Sequence, residues 1–194
     1  MSRIFLDVGA NTGQSLAAAM DPVFRFDQIF CFEPVEYCWK YLEKFKDDRV
    51  RIEHFGLWNK PCVKHVFEPG LMGASIWHKD KARSDESELC QFRRATDWFK
   101  ENIQSGDMVF LKLNCEGAEC DILDDLLDSG EFDKVSFCMI DFDVRKITGQ
   151  KHREAELRER LAGFGFPRVA TSKQVMVGPT HEARIKNWLR VVEA

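Results

Sequence analysis

Short apolar runs and helical three-to-four-residue spacings alternate along this chain, and their order is that of a layered α/β domain. Ile4, Phe5, Leu6 and Val8 make a run of the kind a strand buried on both faces requires, as in a parallel sheet. It stops at Gly9, and residues 14–20 read as a helix. Residues 29–32 form the next strand, closed by Glu33-Pro34, after which Tyr37, Tyr41, Leu42 and Phe45 recur at helical spacing. Residues 50–55 alternate as a third strand, 56–61 read as a loop at its end, and 62–67 and 73–77 look like short extra strands, antiparallel to each other. Residues 78–88 are the most polar stretch, a solvated loop by default and a lid in the functional reading. The pattern then predicts a helix over 96–103 with Thr96 as its cap, a strand over 108–113, a helix over 118–127 closed by Gly130, and a strand over 135–140. A charged helix over 152–164, a hairpin of 167–171 with 174–177, and a helix over 182–192 with Ile185, Trp188, Leu189 and Val192 on one stripe complete the order. No repeat, low-complexity segment or second domain interrupts it, so the expectation is a single domain over 1–194.

The chemistry concentrates at the first strand's end. Gly9 lets the backbone turn sharply, Gly13 lets the helix start close to the strand, and that helix presents free N–H groups to whatever sits over the turn. The spacing Gly9-Ala10-Asn11-Thr12-Gly13 is not the GxGxxG of dinucleotide enzymes, because Asn11 stands where a second glycine would admit a pyrophosphate. Such a turn tolerates a nucleoside without a diphosphate, such as S-adenosylmethionine, whose amino-acid end Asp7 and the turn can hold. Glu33 falls about twenty residues beyond the turn, where an acid closing the second strand can accept both ribose hydroxyls.

Asp7-Val8-Gly9-Ala10-Asn11-Thr12-Gly13, then Phe32-Glu33-Pro34, then Leu111-Lys112-Leu113-Asn114-Cys115-Glu116-Gly117-Ala118-Glu119 resemble, in order and spacing, the three most recognisable blocks of the FkbM-like methyltransferases. The resemblance runs from residue 4 to about residue 142. It implies a Rossmann-like class I methyltransferase fold: a mostly parallel seven-stranded sheet, helices on both faces and a C-terminal antiparallel strand. It also implies S-adenosylmethionine as cofactor, S-adenosylhomocysteine as product, and cofactor contacts at Asp7, Gly9, Ala10, Asn11, Gly13, Glu33, Pro34 and Asn114. In such folds the loop after the third strand adjoins the adenine, so Leu57 and Trp58 are candidates for an apolar wall, although Trp58 reads equally as ordinary core. Gly73-Ala74-Ser75 matches a family segment leading toward the acceptor, which makes Ser75 a candidate acceptor contact. The family's third block carries an acid where this chain has Asn114, a departure that bears on catalysis. Relatives often carry leading helices, so the short amino terminus also fits a domain of a longer protein.

Charged residues make up 31% and the formal net charge is −4, which gives no general attraction to nucleic acid or anionic membranes. No apolar run approaches the roughly 20 residues of a membrane span, and Met1-Ser2-Arg3 leaves no room for a signal peptide, so the expectation is a cytoplasmic protein. Seven cysteines without a CxxC read as reduced thiols. Five histidines share no ligand spacing, so no dedicated metal site is expected, while a magnesium ion needing only one or two carboxylates stays open.

Methyl transfer requires an acceptor held in line, water excluded and a proton removed. Glu116, Asp141 and Asp143 are the candidate bases, with Glu116 and Asp141 preferred, and Asp143 is also a candidate acceptor contact at the same sheet edge. Each has a structural alternative: Glu116 as a cap of the following helix, the aspartates as solvated strand ends. The expected activity is O-methyl transfer to a small-molecule or glycan acceptor, with the sugar hydroxyl supplied by the resemblance. The alternatives are transfer to a non-sugar small molecule or amide, a nicotinamide dehydrogenase, which Asn11 disfavours, and a non-catalytic nucleoside-binding module.

Overall fold

Strand β1 (Arg3–Val8) sends Ile4, Leu6 and Val8 into one apolar layer and Phe5 into another, the alternation a pleated strand imposes, and so sets the two faces of the main sheet. The computed structural model describes residues 1–71, 73–77 and 85–193. From β1 the chain runs through α1 (Gln14–Ala19), β2 (Gln28–Phe32), α2 (Glu36–Leu42), β3 (Val50–Glu53), β4 (Gly56–Trp58), β5 (Cys62–Phe67), β6 (Ser87–Arg94) and α3 (Ala95–Asn102). It continues through β7 (Met108–Leu113), α4 (Glu119–Ser129), β8 (Val135–Ile140), α5 (His152–Leu161), β9 (Val169–Thr171), α6 (Ser172–Val175) and α7 (His181–Glu193).

The main sheet has the order β3-β2-β1-β7-β8-β9, and every neighbouring pair is parallel. Trp98 of α3, Leu123 of α4 and Leu157 of α5 pack in the layer with Ile4 and Leu6. Leu16 of α1 and Trp188 of α7 pack in the layer with Phe5 and Phe110. Helices on both faces of a parallel sheet are the expected Rossmann-like class. A second, mixed sheet of order β4-β6-β5 lies on the first of these layers through Leu57, Val66 and Phe92.

Several local expectations are corrected. Among the described residues the main sheet has six strands, and its last one, β9, pairs parallel with β8. The antiparallel partner expected over 174–177 is replaced by α6, because Thr171 and Gln174 form a reciprocal capping box that starts a helix there. Residues 56–58 are strand, not loop, and β5 pairs with β6, a strand the polarity of its sequence concealed. Among the described residues, 73–77 contribute a single antiparallel bridge, Ser75 with Phe67, and no strand. The stretch expected to be a lid lies outside the described residues over 78–84 and enters β6 at Ser87. In α2 the buried residues are Cys38 and Leu42, while Tyr37 faces outward and hydrogen-bonds Tyr41. Thr96 does not cap α3 through its own side chain: its N–H donates to Asp125 of α4. The α7 stripe, Ile185, Trp188, Leu189 and Val192, is buried as expected.

Candidate functional site

The chain leaves β1 toward β2 and β3, then returns to the other side of β1 with β7, so the strand order reverses between these two. In open α/β sheets a crevice forms outside the carboxyl ends of the strands at such a reversal. Here a cavity of about 510 Å³ occupies that position, walled by the turn after β1, the end of β2, parts of β4 and β5, and the turn after β7.

Gly9 permits the crevice to close around its floor. It has φ +80°, and a Cβ on it would lie 2.0 Å from the Asn114 carbonyl oxygen, so only glycine lets these two strand ends approach. Asn11, also at positive φ, donates its backbone N–H to Glu33 Oε2 at 2.8 Å, and Val35 donates to Glu33 Oε1 at 3.0 Å. Glu33 thereby joins the two turns beneath the cavity. Burial pushes its carboxyl up to about 7, against the lowering effect of those two N–H donors.

By strand parity Asp7 shares the face of Phe5, and Lys112 shares that of Phe110; the two are register partners across β1 and β7. Lys112 Nζ donates to Asp7 Oδ1 at 2.8 Å and to the Gly9 carbonyl at 2.9 Å. Both side chains are almost completely buried, but Lys112 lines the cavity and Asp7 does not. α7 crosses the same face, and His181 at its start places Nε2 3.0 Å from the hydroxyl of Ser15 in α1. Burial, and after it the Lys112 ammonium, hold the His181 imidazole below its usual value.

The opposite wall is built after β7. Glu116 has φ 51°, its carbonyl accepts from the Ser75 hydroxyl at 2.6 Å, and its carboxylate lies 3.3 Å from Lys146 Nζ. Lys146 also pairs with Asp143 at 2.9 Å. Burial, then the Glu116 charge, raise the Asp143 carboxyl to about 7. The anchoring expected of Glu116 falls instead to buried Glu119, which accepts from Gly117 N at 2.8 Å and from Asp143 N and Val144 N at 2.6 Å each. It thus ties the turn after β7 to the turn after β8. Asn114 Oδ1 is buried in this wall without a hydrogen-bond partner.

Of the residues singled out in the sequence, Gly9, Ala10, Asn11, Glu33, Pro34, Leu57, Asn114 and Glu116 line the cavity together. Asp7 lies behind Lys112, and Gly13 packs against Phe45. Trp58 is core, with Phe92 edge-on at 6.4 Å. Ser75 is buried and occupied with Glu116, so it supports the wall without lining it. Asp141 accepts from Ser172 Oγ at 2.8 Å and, like Asp143, is absent from the cavity wall. Sequence reasoning missed Lys112, Ser15, Lys146 and His181. Parity with Asp7 could have shown Lys112, whereas nothing in the spacing of His181 relates it to β1.

Among the described residues no helix is long and apolar enough to cross a membrane, and no three His, Cys, Asp or Glu side chains are grouped to hold a metal ion. All seven cysteines are free thiols.

No protein-family profile and no curated protein matches this chain. Among solved structures it is similar to a methyltransferase FkbM from Methylobacillus flagellatus KT, at 20% identity and a TM-score of 0.43. That match covers 66% of this chain and 30% of the other, so the chain corresponds to under a third of that protein's length.

Proposed function

We propose that this chain is an S-adenosylmethionine-dependent O-methyltransferase acting on a small-molecule or glycan acceptor, with a sugar hydroxyl as the acceptor group. The observation that carries the reading is Glu33, a buried carboxylate at the carboxyl end of β2, held by two backbone N–H groups on the floor of a 510 Å³ cavity. Each of its oxygens keeps lone pairs for a further donor, which suits the two hydroxyls of a ribose. The glycine turn beside it carries Asn11 where a pyrophosphate would need a second glycine, which favours a nucleoside over a dinucleotide. Leu57 supplies apolar wall, and the orphaned Asn114 Oδ1 is an acceptor suited to a donor on the ligand.

When bound, S-adenosylmethionine supplies a methyl group already activated by its sulfonium. The protein's share is to bind the nucleoside through Glu33, Pro34 and Leu57, to keep water from the crevice, and to take the acceptor's hydroxyl proton. We assign that proton to Glu116, whose carboxylate is on the wall beside the Lys146 ammonium. Lys146 Nζ, 3.3 Å from Glu116 Oε2, holds that carboxylate at the wall. Asn114 cannot accept a proton in this way and serves as a hydrogen-bonding group.

The test begins with thermal unfolding in S-adenosylhomocysteine, NAD or no ligand. Stabilisation by the first alone is expected, and stabilisation by NAD instead would sink the reading. Labelled S-adenosylmethionine with a panel of glycosides, followed by mass spectrometry, should then yield a methylated glycoside. Binding without transfer to any hydroxyl would leave a nucleoside-binding module.

A further inference from the structure

We infer that Lys112, Ser15 and His181 form a carboxylate subsite, built to receive the amino-acid end of the nucleoside ligand proposed above and resting on that reading. The sequence alone directs attention to Asp7 for this end of the ligand. The structure reverses the polarity: Asp7 is fully buried and absent from the wall, and Lys112, which it neutralises at 2.8 Å, is what the cavity meets. Lys112 comes from β7, Ser15 from the first turn of α1 and His181 from the first turn of α7, and all three line the same cavity.

Their convergence is unusual for this face of the sheet. Below them the layer between the sheet, α1 and α7 is apolar, with Phe5, Leu16, Phe110, Ile185 and Trp188 all buried. At the carboxyl end, where this layer meets the cavity, Lys112, Ser15 and His181 gather. Between them they offer an ammonium, a hydroxyl and an imidazole, all able to donate to an anionic oxygen. The charge balance narrows the ligand class. Lys112 and Asp7 cancel, so there is no net cationic field of the kind a phosphate needs, whereas a zwitterionic amino-acid group adds no net charge. The nucleoside end is accounted for by Glu33 on β2, so an amino-acid tail running toward β7 and α1 reaches this cluster.

The competing account is that the His181–Ser15 hydrogen bond merely ties α7 to α1. Calorimetry with two ligands separates the two. S-adenosylhomocysteine carries the amino-acid end, and 5′-methylthioadenosine has the same nucleoside thioether without it. In the wild-type chain both should bind, the first more tightly. His181→Ala should weaken S-adenosylhomocysteine by about tenfold, the size expected for one lost hydrogen bond to a charged group, and leave 5′-methylthioadenosine unchanged. His181→Gln, which keeps a neutral donor, should recover part of the loss and serves where the alanine variant folds poorly. Equal weakening of both ligands, or of neither, in whichever of the two variants is folded would overturn the subsite while leaving the nucleoside reading intact. A wild-type chain that binds neither ligand overturns both.

Discussion

At Glu33 the proposed ribose contact falls on a side chain that also braces two turns, and the structure changes what its removal should do. Read as a strand-end acid, Glu33→Ala should weaken S-adenosylhomocysteine by roughly 1.5–3 kcal/mol, the value of hydrogen bonds to a charged group. Because the same carboxylate accepts from Asn11 N and Val35 N, the variant should also lose about 1–3 kcal/mol of folding stability as those donors are left without a partner. Calorimetry below the variant's unfolding temperature checks the first effect and urea denaturation the second; unchanged affinity in a folded variant would reduce Glu33 to a structural brace. Glu116 and Asn114 form a second comparison. With Glu116 on the wall and Asp141 engaged by Ser172, Glu116→Gln should lower the single-turnover rate by about 10²–10⁴-fold, the usual contribution of a general base, with affinity preserved. Asn114→Asp should change the rate little. Transfer switched on only by Asn114→Asp would show that the base belongs at that position and that Glu116 is not it.

Among the elements, the turns after β7 and β8 depend on one another through Glu119. Its carboxylate serves three backbone N–H groups from two turns that lie twenty-odd residues apart, and burial raises it above the usual carboxylate range in spite of them. Glu119→Ala should therefore cost on the order of 3–5 kcal/mol, since each orphaned buried donor carries a penalty of about 1–3 kcal/mol and relaxation recovers some of it. Chemical denaturation measures it, and a loss under about 1 kcal/mol would mean that water replaces the carboxylate. The motif Glu-Gly-x-Glu was visible in the sequence, but its two acids could not be told apart there. Gly117 at φ +109° lies against Ile147, a tight approach that helps turn Glu116 to the cavity and Glu119 to the interior.

For the molecule as a whole, buried acids make stability depend on pH in a definite direction. Glu33 and Asp143 both titrate near 7 in the folded chain, above their ordinary values of 4.5 and 3.8, with burial as the leading cause. A carboxyl raised on folding holds its proton more tightly in the folded state, so its stabilising effect is complete below the unfolded value and is lost as pH rises through about 7. Urea denaturation of the ligand-free protein should accordingly show lower stability at pH 8 than at pH 5. Glu33→Gln, which cannot titrate, should flatten that slope, and a slope of the opposite sign would place the controlling groups elsewhere.

The sequence alone determined what depends on local pattern. The strands β1, β2, β7 and β8 are short apolar runs, and the glycine turn and Glu33 sit at their ends, so the parallel α/β class and the β1–β2 side of the cavity were legible. The stripe on α7 was legible for the same reason, since burial of one helix face imposes a 3.6-residue period. Tertiary structure decided what depends on partners distant in the chain. β6 looked polar because its outward face carries the exposed Ser87 and Gln91, and only pairing with β4 and β5 made it a strand. The capping box at Thr171 overrode a strand pattern over 174–177, because a reciprocal pair of hydrogen bonds outweighs weak intrinsic preference. His181 meets Ser15 across 166 residues of sequence, and Lys112 displaces Asp7 from the cavity wall by pairing with it. Hydrophobic periodicity fixes which face of an element is buried, but which side chains converge over that face follows from the packing of whole elements, and spacing along the chain does not encode it.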